Sequence, residues 1–100
     1  MSQESLIENK FKLALQNFKS NNFQLAEKIF EEILQVNPNH LESICYLGVL
    51  YIQIKKFNLA KTLFIKAFKI NPNNPSINNN LGSILFNLGD YQNALIHYEK

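Results

Sequence analysis

Apolar residues in this chain recur at the three- and four-residue spacing of amphipathic helices, in six stretches divided by short polar turns. The first predicted helix covers about residues 5–19, where Ser5-Leu6-Ile7-Glu8 has the spacing of a capping box. Ser20-Asn21-Asn22 supplies a turn. A second helix follows over about 23–36, and Asn37-Pro38 stops it, because proline disfavours helical geometry in the residue before it. Asn39, with Glu42 three residues on, predicts the cap of a third helix that reaches about residue 54. Lys55-Lys56 turns the chain, and Asn58 is the predicted cap of a fourth helix ending near residue 70. Asn74-Pro75 opens the fifth: asparagine caps, and proline sits where its missing N–H is harmless. Leu88-Gly89-Asp90 closes it, with Gly89 suited to a left-handed terminator, and a sixth helix runs from about residue 91 to 100.

The pattern also repeats, with a period of 34 residues. Leu13 returns as Leu47 and Leu81, Ala26 as Ala60 and Ala94, Phe23 as Phe57 and Tyr91, and Phe30 as Phe64 and Tyr98. Asn37-Pro38-Asn39 returns as Asn71-Pro72-Asn73, and Gly48 as Gly82. A fixed period of this size means stacked supersecondary units rather than one closed globule. Two helices per unit, joined by short turns, predict an array of antiparallel αα-hairpins. Gly48 and Gly82 fall mid-helix, where glycine costs about 1 kcal/mol relative to alanine. A packing reason is expected: a partner helix too close for a Cβ. Ala60 and Ala94 are the expected opposing small positions, Ala14 and Ala26 take these parts in the first unit, and Phe30, Phe64 and Tyr98 supply the bulk between hairpins.

Composition narrows the function. One hundred residues with 46% apolar content and only three Gly and three Pro fit a single folded helical domain. The net charge of +2 is small, and all ten basic residues are lysine. Without arginine, the bidentate phosphate and guanine contacts of nucleic-acid readers are unavailable, so no nucleic-acid partner is expected. Cys45 is the sole cysteine, which rules out an internal disulfide and argues against a thiolate metal site. The longest apolar run, counted with glycine allowed, is residues 44–52, far short of a membrane span. Met1-Ser2-Gln3-Glu4 lacks the charged start and apolar block of a signal peptide, so a cytoplasmic location is expected. His40 and His97 have no carboxylate or second histidine at ligand spacing and read as a helix-start surface residue and a helix-face residue. No catalytic residue, cofactor or metal site is indicated.

The pattern Leu47-Gly48-x-x-Tyr51, then Ala60-x-x-x-Phe64-x-x-Ala67, then Pro72, resembles the tetratricopeptide repeat (TPR) family. The unit at about 41–74 matches almost completely. The unit at about 7–40 carries Leu13-Ala14, Ala26, Phe30 and Pro38 but has Asn17 where a large inner residue is usual, with Phe18 beside it as compensation. The third, about 75–100, carries Leu81-Gly82, Ala94 and Tyr98 and stops before its closing proline. The resemblance implies one all-α domain, a right-handed α-solenoid of six helices, over residues 1–100.

The resemblance further implies that the first helix of each hairpin lines a concave groove, which serves as a non-catalytic scaffold for a protein or peptide. The expected groove residues are Glu8, Phe11, Lys12, Leu15, Phe18 and Lys19 in the first unit. Glu42, Cys45, Tyr46, Val49, Ile52 and Gln53 follow in the second, and Ser76, Asn79, Asn80, Ser83, Phe86 and Asn87 in the third. The family's basic clamp for the C-terminal carboxylates of heat-shock chaperones would fall on Phe11, Leu15, Tyr46, Ser76 and Asn80, none of them basic, so that ligand is rejected. Pro75-x-x-x-x-Asn80-Leu81-Gly82 resembles repeats found ahead of O-linked N-acetylglucosamine transferase domains, where an asparagine ladder grips peptide backbone. Here the corresponding residues are Lys12, Tyr46 and Asn80, a single rung.

Two rival readings stand beside the scaffold. The chain would be a substrate-recruiting array ahead of a glycosyltransferase- or sulfotransferase-type domain, or a self-association module. Arrays normally finish with a polar capping helix. This one is expected to leave the side of Ala94, Leu95 and Tyr98 exposed, to be covered by continuing chain or by a second copy.

Overall fold

The computed structural model describes residues 2–99. Helix α1 spans Gln3–Lys19, α2 Phe23–Val36, α3 Leu41–Gln53, α4 Phe57–Ile70, α5 Pro75–Asn87 and α6 Tyr91–Tyr98. The starts of several helices differ from the sequence expectation. Ser2, not Ser5, caps α1: its Oγ accepts from the Ser5 backbone N–H at 3.1 Å. The Ser5–Glu8 capping box does not form, because those residues already lie inside the helix. His40, not Asn39, caps α3, its Nδ1 accepting from the Ser43 N–H at 3.2 Å. Asn39 is instead held in the turn, its N–H donating to Asn37 Oδ1. Asn58 lies within the first turn of α4, and the cap position falls on Lys56, which offers no acceptor. Asn74 does cap α5, accepting from the Ile77 N–H at 3.1 Å, with Pro75 in the first turn.

The inner turns share one geometry. Asn21, Lys55 and Gly89, one period apart, take left-handed φ values of 61°, 63° and 85°. The next residue's N–H then reaches back to a carbonyl five residues earlier: Asn22 to Asn17, Lys56 to Tyr51 and Asp90 to Leu85, each at 2.8 Å. This closure satisfies carbonyls that the end of a helix leaves without donors. The chain therefore reverses at the same point in each unit, and α1/α2, α3/α4 and α5/α6 form antiparallel hairpins.

Consecutive hairpins stack through α2 on α3 and α4 on α5. Helices α1 and α3 also touch, as do α3 and α5, whereas among the described residues α2, α4 and α6 do not meet one another. Closer approach of the first helices bends the stack, placing α1, α3 and α5 on the inner face. The result measures 46 × 25 × 18 Å.

The core explains the glycines. A Cβ on Gly48 would collide with the Phe64 ring, with Cδ2 only 2.8 Å away, and one on Gly82 would meet the Tyr98 ring at 3.0 Å. The expected opposing residues, Ala60 and Ala94, are buried, yet the nearest atoms to each glycine belong to the ring one turn further along. Phe30 and Phe64 are sealed in the core together with Ala14, Ala26, Ile33, Ile44 and Ala67.

Equivalent positions meet different fates at the ends of the stack. Leu47 and Leu81 are 3% and 2% exposed, but Leu13 is 47% exposed because no helix of the described chain packs on its side of α1. Ala94 was expected on the open side of the last helix and is instead buried against α5; Tyr91, Leu95, Ile96 and Tyr98 are the exposed apolar residues there. Asn17 is half-buried and closes its turn, donating to Leu13 O at 2.9 Å and accepting from Asn22 Nδ2 at 3.0 Å. Phe18 turns towards Phe23 and Tyr46, with ring centroids 5.8 and 5.7 Å away.

Candidate functional site

Along the inner face, α3 and α5 flank a cleft of about 430 Å³. Six of the expected groove residues meet there: Glu42, Cys45, Tyr46 and Val49 from α3, and Asn80 and Ser76 from α5. Their convergence follows from helical spacing, since residues three and four apart share a face. The cleft also contains residues that the sequence reading missed: Leu41, Phe64, Asn74 and Ile77. Phe64 belongs to α4 and reaches the cleft past Gly48, so the mid-helix glycine was the available signal. Ile77 lies one turn before Leu81 and faces inward with it, buried at 2% exposure.

The floor is apolar and the rim is polar. Tyr46 stacks parallel to Phe30, with centroids 6.2 Å apart and planes 4° from parallel. Cys45 is half-buried, and desolvation pushes its thiol pKa up, with the Glu42 carboxylate adding to the shift. That environment suppresses the thiolate, the opposite of what a nucleophile needs. Asn80 is half-buried, and its amide makes no hydrogen bond to any described residue. It presents one donor group and one acceptor to whatever enters the cleft.

Other candidates fall elsewhere. Phe11 packs between hairpins, its ring 5.9 Å from Tyr46, 6.1 Å from Phe30 and 5.4 Å from His40. Lys12 and Leu15 line a separate open depression on α1 with Asn9, Gln16 and Lys19. Gln53 and Asn79 are exposed outside the cleft. Asn87 folds back on its own helix, its amide donating to the Ser83 backbone carbonyl at 2.8 Å, and neither it nor Ser83 lines the cleft. His97 is more than a helix-face residue: its Nδ1 lies 2.9 Å from Asn78 Oδ1, and its ring stands edge-on to Phe68. Asn78 is 1% exposed and also donates to Pro72 O and Asn74 O, tying the turn before α5 to α6.

Among the described residues, no group of three or more His, Cys, Asp or Glu is placed to hold a metal ion. No helix there is long and apolar enough to cross a membrane.

Stacked hairpins with a cleft between their inner helices define a TPR-type repeat array. The chain belongs to the family described as anaphase-promoting complex, cyclosome, subunit 3, a TPR-type repeat family whose model matches residues 9–100. No curated protein matches the chain. Among solved structures it is similar to MamA, with a TM-score of 0.87 at 18% identity over 93% of this chain and 54% of that one. It is likewise similar to PcrH in complex with the chaperone binding region of PopB, with a TM-score of 0.89 at 16% identity over 99% of this chain and 79% of PcrH. A third is the type III secretion translocator chaperone SycD of Yersinia enterocolitica, with a TM-score of 0.86 at 16% identity over 95% of this chain and 71% of that one. At these identities the likeness concerns the fold. The chain spans about half the length of MamA.

Proposed function

We propose that this chain is a non-catalytic protein-interaction module that holds a segment of a partner protein in the cleft between α3 and α5. One observation carries the reading: an apolar floor of Tyr46, Val49 and Ile77 beside the unpartnered amide of Asn80. An apolar side chain of the partner would be buried on that floor while Asn80 bonds its backbone, the division of labour common in peptide recognition. PcrH, solved with a segment of PopB, is a precedent in the same fold. The frame is three repeats over about 7–40, 41–74 and 75–100, and the setting is the cytoplasm, where a lone thiol stays reduced.

Cys45 makes the test direct, because it is the only thiol and lies in the cleft. Its raised pKa predicts slower alkylation at pH 8 than a solvent-exposed thiol shows, with the rate recovering as pH rises. Peptides selected on an array should slow it further when bound, and Asn80→Ala or Val49→Asp should weaken them about tenfold. Unchanged alkylation and unchanged affinity in both variants would place binding elsewhere.

A second reading, self-association, is favoured by one feature: Tyr91, Leu95, Ile96 and Tyr98 leave an apolar side on α6, each about half exposed or more. Solution mass over a wide concentration range decides it. A rising mass that Leu95→Lys abolishes supports the reading, and a constant monomer removes it.

A further inference from the structure

The outer face carries a groove that the inner-face reading does not use. Helices α2 and α4 stand apart over α3 and enclose about 440 Å³ lined by Leu34, Leu47, Leu59 and Leu63, with Glu31 and Tyr51 at one side. Leu59 is 49% exposed there. Tyr51 itself is buried, and its hydroxyl donates to Glu27 Oε2 at 2.6 Å. That single bond satisfies the only proton the phenol has. Glu31 Oε1 nevertheless lies 3.2 Å from the same oxygen, so two carboxylates converge on one donor. Neither is paired with a cation: among the described residues the ion pair is Lys10 with Glu32, at 3.5 Å. Two negative charges so placed repel each other, and a cation within about 4–6 Å would relieve both.

This arrangement is not a by-product of the repeat. The corresponding groove one period on, between α4 and α6, encloses only about 200 Å³. There Lys61 replaces Glu27, Asn93 replaces Leu59 and His97 replaces Leu63. The paired carboxylates and the Leu59–Leu63 wall therefore belong to the first groove alone, while Leu81 and Leu85 still line the second.

We infer that the outer groove between α2 and α4 is a second docking surface. Its occupant is a protein segment that lays an aliphatic side chain on Leu34, Leu59 and Leu63 and an arginine against Glu27 and Glu31. Arginine suits the pair better than lysine because its planar guanidinium presents several N–H donors in a fixed fork, enough to engage two carboxylates at once.

The test selects short random peptides displayed on phage against the intact chain, then measures individual peptides by fluorescence anisotropy. The expected result is enrichment of arginine within a helical turn of leucine or isoleucine. Those peptides should lose about tenfold in affinity for the Glu27→Gln/Glu31→Gln variant. They should weaken similarly when their arginine is changed to lysine, and bind Asn80→Ala normally. Glutamine still accepts the Tyr51 hydroxyl proton, so the variant is expected to keep the wild-type circular dichroism spectrum and thermal midpoint. Failure to enrich arginine-containing peptides, or equal affinity for the double variant, overturns the inference. If the peptides respond instead to Asn80→Ala, the inner cleft is the binding surface and the outer groove is not.

Discussion

Gly48 and Gly82 occupy the same place in successive repeats, yet their surroundings treat an added methyl group differently. Phe64 is 1% exposed and has nowhere to move, so Gly48→Ala forces a buried ring against a new Cβ. Overpacking of this kind costs about 1–3 kcal/mol and outweighs the gain of roughly 1 kcal/mol in helix propensity. Tyr98 is 48% exposed, and its ring atoms would lie 3.0–3.2 Å from a Cβ on Gly82. A shift of a few tenths of an ångström towards solvent accommodates the methyl group. Gly82→Ala should therefore be neutral or slightly stabilising, whereas Gly48→Ala destabilises. Urea unfolding of the two variants side by side is the check. Lys55 offers a change of the opposite sign: it holds φ at 63°, where glycine is free of the side-chain clash. Lys55→Gly should gain about 1 kcal/mol in the same assay.

At the scale of the helix, the starts are uneven in quality. Asn74 and Asp90 accept from backbone N–H groups at the entries to α5 and α6, while Asn22 and Lys56 give α2 and α4 no side-chain cap. Asn74→Ala should cost about 1 kcal/mol, and Lys56→Asp, which copies the residue found one period later, should gain a similar amount. Thermal melts followed by circular dichroism measure both, and a Lys56→Asp variant no more stable than wild type would contradict the cap argument. The same elements show how far local sequence could be read. Asn74 was legible as a cap because proline follows it. His40 stands one period earlier and does the same work, but a neighbouring asparagine with stronger cap statistics drew the assignment to position 39. Asn58 misled for the same reason. Propensity identifies residues able to cap, whereas the left-handed residues at 21, 55 and 89 decide where each second helix begins.

For the whole molecule, the radius of gyration of 13.8 Å slightly exceeds the ~13 Å of a compact domain of this length, as expected when hairpins stack in a line. Each hairpin depends on its neighbours, so stability is close to a sum of hairpin and interface contributions. A chain ending at residue 74 would uncover the face of α4 that packs on α5. It should melt roughly 10 °C lower or more, and over a broader range, while retaining helical content. An unchanged midpoint would mean that the first two hairpins form an independent unit. The linear arrangement also separates two surfaces: the inner cleft of α3 and α5, and the outer groove of α2 and α4. Substitutions at Asn80 and at Glu27 can thus be read independently.

The sequence by itself determined the helical class, the hairpin unit, the points of chain reversal and the two mid-helix positions, Gly48 and Gly82, where helices pack closely. All of these depend on spacing within about 34 residues, and spacing is visible in one dimension. It also brought Glu42, Cys45, Tyr46 and Val49 together, because one helix face is fixed by periodicity. Only the tertiary structure decided what meets across helices. It set Phe64 rather than Ala60 against Gly48, buried Leu47 while exposing Leu13, joined His97 to Asn78, and brought Glu27 and Glu31 to one hydroxyl. Those contacts depend on the distance and angle between whole hairpins. Side-chain volumes summed over an interface fix that geometry, and no local spacing encodes it.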